Sequence, residues 1–393
     1  MSRRRGSSIG KFELGDTSPS LSTMDVSKHQ RQKSSERLIS LAEKPTTDKQ
    51  VLKKLWLSYL ELCYRQTWIH PLTVLLATIG TYLISNPEGK IHQFLEKCIF
   101  PSYPIEGTDQ YGKGENDFYF VAYYAIFFTF FREFMMCIFL RPLAYHFGIT
   151  KEGKVKRFME QTYSIIFFGT SGTCGLWIMS KLPIWFFQTT PMYIDYPHKT
   201  HDLYFKVFYL GEAAFWLQQF VILILQVEKP RKDHYEFVFH HIITVALIWL
   251  SYRFHFTWMG LEIFVTMDIS DTFLGISKTL NYLGSPIEVP FFILFMLVWI
   301  YMRHYINLKI LWSVLTEFKT VGEWELNWIT QQYKCYISQP IVFGLIAALQ
   351  LVNLYWLFLV FRILYRIAMG GPAKDDRSDD EDEEEEEEIK KDQ

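Results

Sequence analysis

Two adjacent histidines, His240 and His241, and two acids three residues apart, Asp268 and Asp271, stand in otherwise apolar sequence. Ionisable groups in such surroundings are costly unless they are partnered, wetted or used. A carboxylate that holds one imidazole nitrogen fixes the tautomer and raises the basicity of the other. Such an imidazole can take a proton from an attacking amine, or itself attack an acyl carbonyl. The plainer alternative is a buried His–Asp network that only fastens two helices. Paired histidines and paired acids at one depth argue for chemistry instead.

The depth comes from counting. A turn near Phe256–Gly260 separates two apolar runs, with His241 lying 15 residues before Phe256 and Asp271 lying 15 after it. Two antiparallel helices therefore bring them level. Asp268 sits about 4.5 Å nearer the turn, at 1.5 Å per residue. Asp268 and Asp271 share one helix face, which Gly275 and Lys278 continue. His240 and His241 diverge by about 100°. One is expected to project into a cavity while the other braces it.

The rest of the chain must supply helices that hold this group in a membrane. Of 393 residues, 49% are hydrophobic, 18% aromatic and only 21% charged. Mean hydropathy is +0.04 although both ends are strongly polar. A soluble globular protein is hard to build this way, and an all-α polytopic membrane protein is easy. Eight apolar segments are predicted to span, at about 67–86, 117–140, 161–181, 204–226, 237–256, 260–280, 290–311 and 339–362. Each is near the roughly 20 residues a crossing helix needs.

Lysine and arginine in short loops set the orientation. Residues 1–54 carry 12 of them, loop 141–157 carries Arg141, Lys151, Lys154, Lys156 and Arg157, and loop 228–236 carries Lys229, Arg231 and Lys232. All three fall on one side if both termini are cytosolic. The basic Ser-rich stretch 1–54 and the acidic stretch 367–393 read as disordered tails. Residues 1–374 hold 37 Lys and Arg against 29 Asp and Glu, a net of +8 behind the small overall charge. The bases flank apolar spans and form no stripe on a soluble domain, so nucleic acid is not implied.

Several short signals sit in the tails. Arg3, Arg5 and Ser8 fit a basophilic kinase pattern, and Ser378 precedes an acidic run that suits an acidophilic kinase. Lys390 and Lys391 stand fourth and third from the end, the placing of a dilysine signal for retrieval to the endoplasmic reticulum. Cys98 and Cys335 fall in loops on the far side, where a disulfide or two free thiols are the alternatives. Arg132 and Glu133 interrupt the second span and are expected to pair with other helices or line a cavity. Glu212 is a candidate to support the acids. Arg303 and His304 are expected near the far-side end of the seventh span, with their polar tips at the interface.

The run HHIITVALIWLSYRFHFTWMGLEIFVTMDISDTFLGISKTLNY, residues 240–282, resembles the Lag motif of ceramide synthases, which are TLC-domain enzymes of the endoplasmic reticulum. The paired His, MDxSD (Met267, Asp268, Ser270, Asp271) and SKTLNY (Ser277–Tyr282) stand in order. The YRFHF and MDISD wording is similar to fungal catalytic subunits, and a weaker likeness runs from about residue 50 to 366. The resemblance implies a six-helix TLC core (159–366) behind two N-terminal helices (55–158). It implies N-acylation of a sphingoid base such as dihydrosphingosine or phytosphingosine by a long or very long acyl-CoA, with no bound cofactor or metal. It places catalysis on His240, His241, Asp268 and Asp271, and it implies a small single-span accessory subunit.

A homodimer, or a heterodimer with a paralogous catalytic subunit, is a further expectation. Arg231, Lys232, Lys278 and Asn281 are candidates to meet substrate at the cytosolic rim, with ordinary flanking charge as their alternative. Whether a His acts as general base or is first acylated stays open. A non-catalytic lipid-sensing or translocation-associated TLC protein is the competing function, although it need not hold both HH and DxxD. A di-iron hydroxylase is disfavoured, because only His240 and His241 are clustered among 11 histidines.

Overall fold

The structure is a computed structural model that describes residues 48–225 and 234–369. In chain order the helices are α1 (Asp48–Arg65), α2 (Ile69–Ile84), α3 (Lys90–Ile99), α4 (Asp117–Phe134), α5 (Arg141–His146), α6 (Glu152–Met179), α7 (Leu203–Leu225), α8 (His234–Arg253), α9 (Thr257–Tyr282), α10 (Glu288–Trp299), α11 (Asn307–Thr316) and α12 (Ser338–Ala368). Wider π-helical turns at Met135–Leu140 and Ile300–Ile306 join α4 to α5 and α10 to α11. The two-residue strands β1 (Gln110–Tyr111) and β2 (His201–Asp202) pair antiparallel.

Each of the eight apolar segments is helical over most of its described residues. Among the described residues, five helical stretches are long and apolar enough to cross a membrane: Asp117–His146, Leu203–Leu225, Tyr235–Arg253, Glu288–Thr316 and Ser338–Ala368. The chain is a multi-pass α-helical membrane protein. Helices α6 and α9 fall short of that apolarity for a reason that bears on the site. Each turns a polar face inward, with Gln161, Ser164 and Ser171 buried on α6, and Glu262, Thr266, Asp268, Ser270 and Asp271 buried on α9. Helix α2 is short and meets α1 at a 119° bend.

Helices α6 and α9 form the closest-packed pair. Glycines make that possible, because backbones can approach where no side chain intervenes. A Cβ at Gly172 would lie 3.3 Å from the Cβ of Asp268, and one at Gly175 would lie 2.7 Å from Cγ2 of Val265. On the other side of the seam, a Cβ at Gly275 would come within 2.9 Å of Ile165. The position of Asp268 is thus set by a neighbour that has no side chain.

At the end of the bundle that carries the α8–α9 turn, loops and the β pair build a polar cap. Lys206 Nζ pairs with Asp117 Oδ1 at 2.8 Å and donates to the carbonyls of Ser102 and Gly112, both at 2.7 Å. Tyr252 donates to the second oxygen of Asp117 at 2.8 Å. Cys98 and Cys335 are both buried free thiols, so of the two alternatives the unbridged one holds.

Candidate active site

Helices α8, α9 and α12 enclose a cavity of about 230 Å³. Its walls are apolar over most of their length, with Leu247 and Ile248 from α8, Ile263 and Met267 from α9, and Leu345 and Leu349 from α12. Near the cap it is lined by Leu326, Trp328 and Tyr333. At the opposite end it meets His240, Asp271 and Arg303. A narrow greasy slot ending on a few convergent polar groups is the usual form of a site for a long aliphatic ligand.

Counting from the turn put His241 level with Asp271; of the two histidines and two acids, His240 and Asp271 line the cavity and His241 and Asp268 do not. His240 is the histidine that projects. Its ring stands between Trp216 (5.8 Å between centroids) and Trp356 (5.0 Å), and its Nδ1 has no hydrogen-bond partner among the described residues. His241 packs edge-on against His240 at 5.6 Å and points its Nδ1 at the carbonyl of Phe237, 3.0 Å away. A carbonyl can only accept, so Nδ1 carries the proton and Nε2 is the basic nitrogen.

The expected carboxylate–imidazole contact is not made. Asp271 is instead held by Arg303, whose Nη2 lies 2.5 Å from Oδ1. The same guanidinium donates through Nε to Ser270 Oγ at 2.6 Å and through Nη1 to Asn353 Oδ1 at 3.2 Å, and it stacks 4.1 Å from the ring of Trp299. Asp268 accepts from Ser171 Oγ at 2.7 Å, and Ser171 also bonds Glu212. Glu212 therefore reaches Asp268 through one hydroxyl, as a supporting residue would. A planar fork that satisfies a carboxylate, a hydroxyl and an amide together is what arginine offers and lysine does not.

Arg303 and His304 correct the expectation of interfacial tips. Both are buried, with Arg303 only 2% exposed. The seventh apolar stretch runs on to Thr316, which moves Arg303 from its end to its middle. The π turn there brings both neighbours inward, so that His304 Nδ1 meets Gln350 Nε2 at 2.8 Å. Such turns often mark functional positions. Of the expected pairings, Arg132 meets helix α6 through a ring and Glu133 meets the turn before α2. The guanidinium lies 5.0 Å from the Tyr163 ring, and Glu133 accepts from Thr67 at 2.5 Å.

Lys278 and Asn281 stand two or more turns past Asp271 on α9, and Asn281 donates to Glu288 at 2.5 Å. Neither lines the cavity. Arg231 and Lys232, Ser8 and Ser378, and Lys390 and Lys391 lie outside the described residues. Arg303, Ser171 and Asn353 escaped the sequence reading as site residues. Only Arg303 carried a signal, as a charge inside an apolar run.

Comparison with known proteins places this arrangement in a family. The TLC domain family matches residues 157–362. Ceramide synthase LAG1 of Saccharomyces cerevisiae is 51% identical over 380 residues, covering 96% of this chain and 92% of that protein. Sphingosine N-acyltransferase lac1 of Schizosaccharomyces pombe is 49% identical over 316 residues, 80% of this chain and 81% of the relative. Sphingosine N-acyltransferase-like protein FUM17 of Gibberella moniliformis is 46% identical over 336 residues, with coverages of 83% and 86%. The chain belongs to the TLC-domain family, in the branch of the fungal sphingosine N-acyltransferases.

Proposed function

We propose that the protein is a ceramide synthase. It transfers a long or very long fatty acyl group from acyl-CoA to the amine of dihydrosphingosine or phytosphingosine, giving the corresponding ceramide and free CoA. The observation that carries this reading is the apolar cavity that ends on His240, Asp271 and Arg303. The likeness to named ceramide synthases and sphingosine N-acyltransferases supports it. A lipid-sensing or translocation-associated TLC protein has no need of a reactive imidazole at the end of a chain-sized slot.

The residues divide the work. The cavity holds an aliphatic chain and brings its polar head to the bordering imidazole. Asp271, fixed by Arg303, faces the cavity and attracts the ammonium of the sphingoid base. His240 is the group placed to take the amine proton, or to be acylated first. His241 braces it. Asp268, bonded to Ser171, anchors α9 to α6 beside the site. The thioester of acyl-CoA is already activated, so positioning, a base and charge stabilisation are the chemistry these residues must supply.

Residues 159–366 form the catalytic unit, after a basic tail (1–54) and two N-terminal helices (55–158) and before an acidic tail (367–393). The basic loops support cytosolic termini, and Lys390 and Lys391 support residence in the endoplasmic reticulum. Arg231, Lys232 and Lys278 meet the phosphates of CoA at the rim, and Asn281 is a further substrate contact. A single-span accessory subunit and a homo- or heterodimeric assembly complete the enzyme, and kinases act at Ser8 and Ser378.

The decisive assay supplies purified protein with dihydrosphingosine and acyl-CoAs of several lengths, and measures ceramide by mass. The same assay is run on His240→Ala, His241→Ala, Asp268→Ala and Asp271→Ala. Ceramide formation that is lost in these variants is the expected result. No product from the wild type would refute the activity, and full turnover by all four folded variants would refute the site. Intact-mass detection of an acylated histidine in protein kept without amine separates the two routes.

A further inference from the structure

Two walls of the cavity, on α8 and α9, end on polar groups. The face of α8 runs through Ile248 and Thr244 and ends on His240, and that of α9 runs through Ile263 and Met267 to Asp271. The face of α12 runs through Leu345 and Leu349. Positions four and seven residues further on that face are Asn353 and Trp356. They stand about one and two turns past Leu349, the last α12 residue that lines the cavity, and each touches a group that does line it: Asn353 bonds Arg303, and Trp356 packs against His240.

Both residues carry a buried donor with nothing to donate to. Asn353 is 0% exposed and Trp356 is 5% exposed. Asn353 Nδ2 and Trp356 Nε1 have no hydrogen-bond partner among the described residues. The orientation of the amide is not arbitrary. Its Oδ1 accepts from Arg303 Nη1, and the reverse assignment would set donor against donor. The NH2 group is therefore turned away from the guanidinium. Trp356 lies against the other reacting partner, with ring centroids 5.0 Å from those of His240. Arg303 itself is already engaged by Asp271, Ser270 and Asn353, so its donors are largely committed. Buried donors normally find acceptors, and a pair left without them beside a reactive group needs an explanation.

We propose that Asn353 Nδ2–H and Trp356 Nε1–H bind the acyl carbonyl oxygen and hold the negative charge it acquires. This assignment rests on the acyl transfer proposed above. The lone pair of the attacking nitrogen, amine or imidazole, forms the new C–N bond. The carbonyl π pair moves onto oxygen, where the two N–H groups receive it. When the carbonyl re-forms, the C–S bond breaks and the thiolate leaves with its electron pair. It then takes up the proton released by the nitrogen. Donors fixed before the charge develops stabilise it without having to reorganise. Either order of acyl transfer passes through such an oxyanion.

The test uses the purified full-length protein and two near-isosteric variants. Trp356→Phe keeps a ring against His240 and removes the N–H. Asn353→Asp keeps an acceptor for Arg303 and removes the NH2. Each is expected to lower kcat by about 10²-fold to 10³-fold, the usual cost of one lost donor, with KM for acyl-CoA nearly unchanged. A second readout is the infrared stretch of a ¹³C-labelled ketone analogue of acyl-CoA, with CH2 in place of sulfur, bound to the protein. Its frequency should rise in each variant relative to wild type, which a merely structural role would not produce. Wild-type kcat in both variants, or an unchanged stretch, overturns the proposal. His240→Ala is run alongside. Its inactivity beside fully active Trp356→Phe and Asn353→Asp sinks the donor pair alone, whereas full activity in all three sinks the acyl-transfer site as well.

Discussion

The cap and the cavity end are both buried and polar, and they are built on opposite terms. In the cap the charged and imidazole groups are met, although Glu317 Oε2 and Gln332 Oε1 are not. Lys206 has Asp117 and two carbonyls, and Lys113 Nζ donates to the carbonyl of His198 at 2.9 Å. His201 Nε2 bonds Thr257 at 2.9 Å, and His255 Nε2 donates to Gln331 at 3.2 Å. At the cavity end and just behind it, His240 Nδ1, Asp268 Oδ1, Asn353 Nδ2 and Trp356 Nε1 have no partners among the described residues. A saturated network rigidifies a fold, whereas an unsaturated one is costly by itself and favourable only when something arrives to complete it. The cap is therefore read as structure and the cavity end as a place for substrate.

Substitutions should separate the two regions by what they damage. The largest effect on turnover is expected from His240→Ala, a loss on the order of 10³-fold, typical of a removed acid–base group. Its thermal midpoint should stay near wild type, because no hydrogen bond to the ring is broken. Lys206→Met should do the reverse. It leaves Asp117 buried beside an apolar side chain, at a cost of about 3–5 kcal/mol. Thermal unfolding in detergent should show a large fall, while turnover per folded molecule stays close to wild type. A Lys206→Met protein that is stable but inactive would abolish the distinction. Ser171→Ala should fall between them. It unlinks Asp268 from Glu212 without touching the cavity wall, and about a tenfold loss of kcat corresponds to one hydrogen bond of roughly 1.4 kcal/mol.

How far the sequence reaches can be judged residue by residue. The helices were legible because apolar runs near 20 residues leave little else to form in a membrane. His240 and Asp271 were legible because a helical hairpin converts residue counts into depth. The partners of the acids were not, since pairing across helices leaves no trace in local spacing. Asp271 and Arg303 are 32 residues apart on different elements, and the arginine was misplaced because its helical stretch continues to Thr316. Ser171 and Asn353 are small polar residues inside apolar helices, where a purely structural hydroxyl or amide looks the same. Gln350 and Asn353, three apart in a stretch of α12 that lacks charge, were the faint mark of a polar face.

The smallest effect belongs to the cap and sharpens its reading as structure. His198 is 7% exposed, stacks 3.7 Å from Trp258 and points Nε2 at the carbonyl of Met192, 3.2 Å away. Burial, with some help from the charge of Lys113, pushes its pKa down to about 4. An unfolded histidine titrates near 6.5. Between those values the unfolded chain binds a proton that the folded chain refuses. Stability is then complete above about 6.5 and declines as pH falls toward 4, by up to about 1.4 kcal/mol per pH unit for this one group. His201, lowered mainly by burial and then by Lys113, adds to the slope with the same sign. His198→Phe keeps the stack on Trp258 and removes the titration. Its thermal midpoint should fall less between pH 7 and pH 5 than that of the wild type, while the pH dependence of kcat stays unchanged. An equal fall in both proteins would show that His198 is protonated in the folded cap, and a shifted kcat profile would tie the cap to the chemistry at the other end of the cavity.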